Sequence, residues 1–241
     1  MKSILITGGS RGIGRATALL AAERGWNVAV TYVGNEQAAR ETEDRIREKG
    51  ARALCLQGDV GVEDDVARMF ATAIAEFGRL EGVVINAGIV APAMPLKEMS
   101  SERLRTMFQT NILGAYLCAR EAVRCMRGGS IVNVSSLAAK TGSPGEYIDY
   151  AGSKAAMDTL TIGLAKEAGP LNIRVNAVRP AFIDTQIHAT SGNPQRAHLL
   201  GAQTPLGRAG TAEEVGEAIV WLLSDASSYV SGALIDMAGG R

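Results

Sequence analysis

The chain predicts an α/β protein: a doubly wound parallel sheet of seven strands with helices on both faces, in a single domain spanning residues 1–241. Three features predict it. Short runs rich in Val and Ile alternate along the chain with apolar stripes of period near 3.6. Several of those runs are apolar at every position, the pattern of strands buried on both faces of a parallel sheet. The first run leads at once into a glycine-rich turn and a helix-forming stretch, and sheets of this kind hold ligands beyond the carboxyl ends of their strands.

The elements follow in order. SILIT (3–7) and NVAVTY (27–32) read as the first two strands, and ARALCLQ (51–57), GVVIN (82–86), SIVNVS (130–135), IRVNAV (173–178) and ALIDM (233–237) continue the series. A helix begins near Gly12. Val66, Met69, Phe70, Ala73, Ile74 and Phe77 form an apolar stripe closed by Gly78 as a C-terminal cap. Leu104, Met107, Phe108, Ile112, Ala115 and Ala119 form another, with Ser100 as its N-cap. Thr211 and Glu214 make a capping box ahead of Val215, Ala218, Ile219 and Leu222. Right-handed crossovers between successive parallel strands put these helices on both faces of the sheet.

Composition excludes several classes of function. Lys plus Arg and Asp plus Glu each total 25, with no basic run or tail, so no nucleic-acid partner is expected. No segment approaches the ~18 apolar residues of a membrane span, so no membrane partner is expected either. Cys55, Cys118 and Cys125 lie outside any CxxC or His-rich ligand pattern and read as small hydrophobes in a reducing compartment. No metal site is predicted, and the protein is expected to be soluble and cytoplasmic.

The turn after the first strand reads TGGSRGIG (7–14). Its Gly8, Gly9, Gly12 and Gly14 permit unusual backbone angles and close approach to a phosphate. The helix starting near Gly12 offers free N–H groups and a positive dipole end to a pyrophosphate. The literal Rossmann pattern G-x-G-x-x-G is not present, and the near-match to a P-loop puts Arg15-Ala16 where Lys-Ser/Thr is required. An NAD site usually carries an acid at the end of the second strand, against the ribose 2′-hydroxyl. Here the sequence is Thr31-Tyr32-Val33-Gly34-Asn35, without a carboxylate before Glu36, while Arg11 in the glycine turn suits a 2′-phosphate. These residues favour NADP(H) over NAD(H).

One further stretch draws attention: DYAGSK (149–154) sets Tyr150 and Lys154 four residues apart, on one face if the segment is helical. Taken with TGGSRGIG, GDV (58–60), NAG (86–88), a helical Asn111 and NVSS (133–136), in that order, the chain resembles the short-chain dehydrogenase/reductase family along its whole length. The likeness is nearest to bacterial 3-oxoacyl-carrier-protein reductases and sugar dehydrogenases.

The resemblance implies a Rossmann-type fold and assigns roles. Tyr150 matches the catalytic tyrosine, Lys154 its partner, Ser136 the serine that holds the substrate carbonyl, and Asn111 the asparagine of a proton relay. Gly8, Ser10, Arg11, Gly12, Ile13 and Gly14 match the phosphate-binding turn. Asp59 and Val60 match positions around the adenine, and Asn86, Ala87 and Gly88 the turn beneath the ribose and nicotinamide. Pro180, Ile183 and Thr185 match the stretch that covers the nicotinamide, with Tyr150 and Lys154 also touching the cofactor. Two features depart from the pattern or leave it open: Ala181 replaces the usual glycine after Pro180, and Ser135 stands beside Ser136, where only the family alignment chooses between the two hydroxyls.

The activity so implied is transfer of a hydride between NADP(H) and a ketone or aldehyde and its alcohol, with Tyr150 as general acid/base. A free phenol has a pKa near ~10. The neighbouring ammonium is expected to lower it, so that proton transfer runs near working pH. A polar lid is expected at about 184–207, including His188, Gly192, Asn193, Pro194 and His198, the histidines facing solvent. Family members are homotetramers built through helices here at 101–126 and 150–168. The competing reading is a nicotinamide-dinucleotide sensor or scaffold without turnover.

Overall fold

A computed structural model describes residues 1–186 and 195–241 of the chain. Among these the strands are β1 (Ser3–Ile6), β2 (Asn27–Tyr32), β3 (Ala53–Gln57), β4 (Gly82–Ile85), β5 (Gly129–Val134), β6 (Ile173–Pro180) and β7 (Leu234–Met237). They form one parallel sheet in the order β3-β2-β1-β4-β5-β6-β7. The seven predicted strands are all present, with ends displaced by a residue or two. The largest shifts are at β3, which starts at Ala53 rather than residue 51, and β6, which runs on to Pro180 because Arg179 and Pro180 still pair with Asp236 and Met237.

The helices are α1 (Gly12–Glu23), α2 (Glu36–Glu48), α3 (Glu63–Phe77), α4 (Ser101–Phe108), α5 (Gly114–Cys125), α6 (Ala138–Thr141), α7 (Ile148–Ala168), α8 (Arg196–Gly201) and α9 (Ala212–Leu223). The caps read from sequence are present: Ser100 Oγ accepts from Arg103 N–H, Gly78 ends α3 at φ 86°, and Thr211 and Glu214 close a capping box.

Alternation along each strand builds two cores, one on each face. Leu5, Ala29, Val83 and Ile131 point to the face covered by α3, α5 and α7, where they meet Phe70, Met69, Cys118 and Met157. Ile4, Ile6, Val28, Val30, Val84 and Val132 point the other way, onto Ala18 and Ala21 of α1, Ile46 of α2 and Val215 and Ile219 of α9. Burying ~25 cal/mol per Å² of apolar surface on both faces is what holds the sheet between its helices.

The helix expected at 101–126 is not continuous. Gln109–Leu113 form a π-type turn between α4 and α5. The extra residue in that turn shifts the phase of the apolar stripe, as such insertions do. Met107, Asn111, Ala115 and Cys118 are buried, while Phe108, read from sequence as part of the stripe, is 40% exposed.

Candidate active site

The strand order departs in opposite directions from the adjacent pair β1 and β4, and a cleft of about 770 Å³ opens at the carboxyl ends of these strands and of β5. The turn after β1 forms its floor. Gly8 (φ 66°) and Gly12 (φ 54°) adopt left-handed backbone that disfavours any side chain. Gly14 lies behind this turn rather than in the cleft: a Cβ there would strike the Gly8 carbonyl oxygen and stand 2.6 Å from Asn86 Nδ2. Asn86 Nδ2 donates to Thr7 O and Gly8 O, both at 2.9 Å, and Thr7 Oγ1 accepts from the N–H groups of Asn86 and Ala87. The ends of β1 and β4 are thereby locked together. Arg11 is the N-cap of α1 but makes no side-chain cap bond, so the first N–H groups of that helix face the cleft without one.

Ser10, Arg11, Gly12 and Ile13 line the cleft with Gly8. Beyond β2, Thr31, Tyr32, Val33, Gly34 and Asn35 line one end, with no acidic side chain among them. Asn35 Oδ1 is used as the cap of α2, accepting from Ala38 N–H. The nearby cations Arg15 and Arg40 are held by Glu41 and by Glu36 and Glu43, and neither lines the cleft. Asp59 and Val60 border the same end; Asp59 Oδ1 also accepts from Gly61 N–H at 2.8 Å.

At the other end, Ser136 follows β5 and Tyr150 and Lys154 sit on the first turns of α7. Ser136 Oγ accepts from Ala138 N–H at 3.1 Å and lies 3.4 Å from Pro180 O, and its hydroxyl lines the cleft with the Tyr150 phenol. Ser135, the alternative by sequence, turns away: its Oγ donates to the Lys154 carbonyl at 3.1 Å. Lys154 Nζ donates to Val134 O at 2.8 Å and lies 5.8 Å from the centroid of the Tyr150 ring. Burial pushes the Lys154 amine down to about 8, against a smaller upward pull from Asp158. Burial also raises the Tyr150 phenol above its ordinary value, with the nearby Ser136 hydroxyl acting in the opposite sense. The lowering expected from Lys154 therefore does not dominate. An ammonium at ring distance, its own charge weakened by the same burial, does not offset the loss of water around a phenolate.

Asn111 lies behind the cleft wall. Its Oδ1 accepts from Ile89 N–H at 2.8 Å, and its Nδ2 faces Ile89 O at 2.9 Å and Ser153 Oγ at 3.1 Å. Gly88 separates it from Lys154, a Cβ there standing 3.3 Å from Asn111 Oδ1 and 3.4 Å from Lys154 Nζ.

A family model described as enoyl-(acyl carrier protein) reductase matches residues 8–241. The chain is similar to an uncharacterized oxidoreductase of Escherichia coli, YgfF, with 50% identity over 100% of both chains. It is also similar to the 3-oxoacyl-[acyl-carrier-protein] reductase FabG of Staphylococcus aureus, with 35% identity over 99% of this chain and 97% of the other. This chain belongs to the short-chain dehydrogenase/reductase family. A solved Serratia marcescens short-chain dehydrogenase/reductase, in a substituted form, superimposes with a TM-score of 0.93 at 30% identity, over 99% of this chain and 97% of that one.

As a short-chain dehydrogenase/reductase, this oxidoreductase belongs to a family that uses a nicotinamide cofactor. Its glycine turn, left-handed at Gly8 and Gly12 beside the open N-terminus of α1, fits a dinucleotide pyrophosphate. Asn86, Ala87 and Gly88 follow β4 along the cleft, and Pro180, which ends β6, and Ile183 and Thr185 after it line the cleft too, Thr185 beside Gly12.

Several residues that sequence reasoning left open or missed complete the site. Asp149 is not solvated: its side chain is fully buried, in a forked ion pair with Arg103. Tyr147, the second tyrosine, lines the cleft with the Arg196 guanidinium 5.2 Å from its ring centroid, and Arg196 is itself paired with Glu146. Phe182 and Arg241 also line the cleft, the guanidinium 4.8 Å from the ring centroid. His198 is half-exposed and lies 3.2 Å from Asp184. Of the expected lid, His188, Gly192, Asn193 and Pro194 lie outside the described residues. Burial holds the three thiols protonated, with Cys55 and Cys118 pushed up to about 12 and Cys125 to about 11. No cluster among the described residues could hold a metal ion, and no helix among them is long and apolar enough to cross a membrane.

Proposed function

We propose that this oxidoreductase reduces a ketone or aldehyde to its alcohol, reversibly, with NADP(H) as cofactor and Tyr150 as the proton donor. The observation that carries the reading is the meeting of Ser136, Tyr150 and Lys154 in the lining of one cleft, with Lys154 Nζ 5.8 Å from the centroid of the Tyr150 ring. Two hydroxyls lining the same cleft suit a carbonyl oxygen that gains charge during reduction. Ser136 donates to that oxygen and steadies it, and Tyr150 delivers the proton. When bound, the nicotinamide supplies the hydride. Lys154 holds the ribose and, with the cofactor's positive ring in the oxidised state, draws the phenol's pKa back down. Asn111 and Lys154, on either side of Gly88, form the start of a proton relay.

Arg11, the cation lining the adenosine end, supports NADP(H) over NAD(H), as does the lack of a carboxylate among Thr31–Asn35. Tyr147 and Phe182 supply aromatic walls at the substrate end of the cleft. The outer faces of α4, α5 and α7 carry exposed Phe108, Leu113, Tyr116, Ile148 and Ile162, which supports assembly into a homotetramer through these helices. A solution scattering mass of a single chain rejects that assembly.

The activity is tested by following absorbance of NADPH, and separately NADH, with ethyl acetoacetate, cyclohexanone and crotonyl-CoA. The expected result is consumption of NADPH with a ketone and little with NADH. Tyr150→Phe should slow it about 10³-fold while still binding NADPH. Turnover of crotonyl-CoA alone would favour the alkene reduction named in the family model's description. Binding of NADPH with no turnover on a wider carbonyl panel would favour a sensor.

A further inference from the structure

The buried ion pair between Arg103 and Asp149 sits directly behind the site but touches no part of the cleft. Asp149 is fully buried and Arg103 11% exposed at its side chain. The contact is forked: Arg103 Nε donates to Asp149 Oδ2 at 2.8 Å and Nη2 to Oδ1 at 3.3 Å. Desolvating two charges costs more than a well-packed apolar pair of the same shape, so stability alone gives little reason for this arrangement. What an ion pair of this geometry supplies is direction.

Its remaining bonds point at the chemistry. Asp149 Oδ1 also accepts from the backbone N–H of Tyr150 at 2.9 Å. The Tyr150 carbonyl accepts from Ser153 Oγ at 2.7 Å, and Ser153 is bonded in turn by Asn111. Both ends of the Tyr150 peptide are thus fixed by buried side chains. The third arm of Arg103, Nη1, donates to Pro92 O at 2.6 Å, in the segment between β4 and α4 whose Ile89 and Val90 line the cleft. One guanidinium therefore ties the first turn of α7 to the wall opposite it. A carboxylate in that first turn is also favoured by the helix dipole.

We propose that Arg103 and Asp149 are a positioning pair that holds the Tyr150 phenol and the 89–92 wall in one register, so that a carbonyl seated on the wall meets the hydroxyl. The kinetic side of this inference rests on the reading of Tyr150 as proton donor; its spectroscopic side does not.

The test replaces both charges with apolar residues of similar size, Arg103→Met with Asp149→Leu, so that neither ion is left buried alone. A second variant, Arg103→Lys, keeps the charge but loses the fork and the bond to Pro92. Each is made with tyrosine labelled at ¹³Cζ, and the Tyr150 resonance among the five tyrosines is assigned with Tyr150→Phe. The expected result is a displaced Tyr150 resonance in both variants. With NADPH and ethyl acetoacetate, kcat falls by about tenfold or more, Km for NADPH holds, and the solvent deuterium isotope effect grows, with Arg103→Lys intermediate. A cooperatively folded double variant with the parent's Tyr150 resonance and kcat overturns the proposal. If the double variant does not fold, an unmoved resonance in Arg103→Lys overturns it just as well. Should Tyr150→Phe keep the parent's rate, the proton-donor reading fails and the resonance still decides the role of the pair.

Discussion

On the β1 side of the cleft the chain presents mostly backbone, while on the β5 side it presents side chains. Gly8 and Gly12 carry left-handed angles, Gly14 packs against the Gly8 carbonyl, and the helix N–H groups of α1 stand open. Across the sheet, Ser136, Tyr150 and Lys154 project from β5 and α7, with burial altering the acidity of the last two. The first region is shaped by the space it leaves; the second by the polar groups it removes from water. They should therefore fail differently: changes in the glycine turn lower cofactor affinity, and changes at Ser136 or Tyr150 lower the rate with affinity kept.

Of three changes that bear on this contrast, the largest effect is expected for Ser136→Ala, which on the proposed reading removes one donor from the developing oxyanion. Its kcat should fall by about 10²–10³, measured at saturating NADPH. The dissociation constant for NADPH, read by fluorescence, should stay within about threefold. A loss confined to affinity would erase the contrast between the two regions.

Lys154→Met sharpens the contrast through pH. Burial pushes the amine down to about 8 in the folded chain, against 10.5 for a free lysine, so the unfolded chain binds the extra proton between those limits. Stability of the parent without cofactor accordingly rises with pH across that window, and below about 8 it carries the full cost of a buried ammonium. The methionine variant lacks this cost. Its advantage in denaturant melts should be greatest below pH 8 and shrink by up to about 3 kcal/mol toward pH 10.5. A constant difference across the window would mean that the amine is not desolvated.

Gly14→Ala should have the smallest effect of the three. Its Cβ meets the Gly8 carbonyl and Asn86 Nδ2, so the turn must shift, at about 1–3 kcal/mol of stability. NADPH affinity should weaken while kcat at saturation holds. A drop in kcat instead would place the strain on the β5 side.

The contrast also explains what was legible in the sequence. Strict alternation of Ile4, Leu5 and Ile6 between two apolar faces leaves little choice but a sheet covered on both sides, and glycines after a strand have few other uses. The cap residues Ser100, Gly78 and Thr211 act locally and were read correctly for that reason. The order of the site motifs was readable as well, but the residues left Ser135 and Ser136 open and only the family resemblance chose Ser136; in the structure the Ser135 hydroxyl is spent on the Lys154 carbonyl.

Long-range polar pairing was not readable. The sequence left open whether Asp149 acts on Tyr150 or faces water, because its partner Arg103 lies 46 positions away. The π-type turn at 109–113 left no mark in a periodicity of apolar residues, and Phe108 was misplaced with it. The acidity of Tyr150 followed burial, a property of the folded surroundings, rather than the spacing to Lys154.

Asn111 has a consequence of its own. By accepting from the N–H and facing the C=O of a single residue, Ile89, its carboxamide behaves as a surrogate peptide group, adding one more rung beside the end of β4. Aspartate has no hydrogen to give back and leucine has neither partner. Either would strand a backbone group of Ile89 at about 1–3 kcal/mol. The position thus demands an amide for architecture before any proton moves through it, and inactivity after its replacement would report a collapsed scaffold as readily as a broken relay.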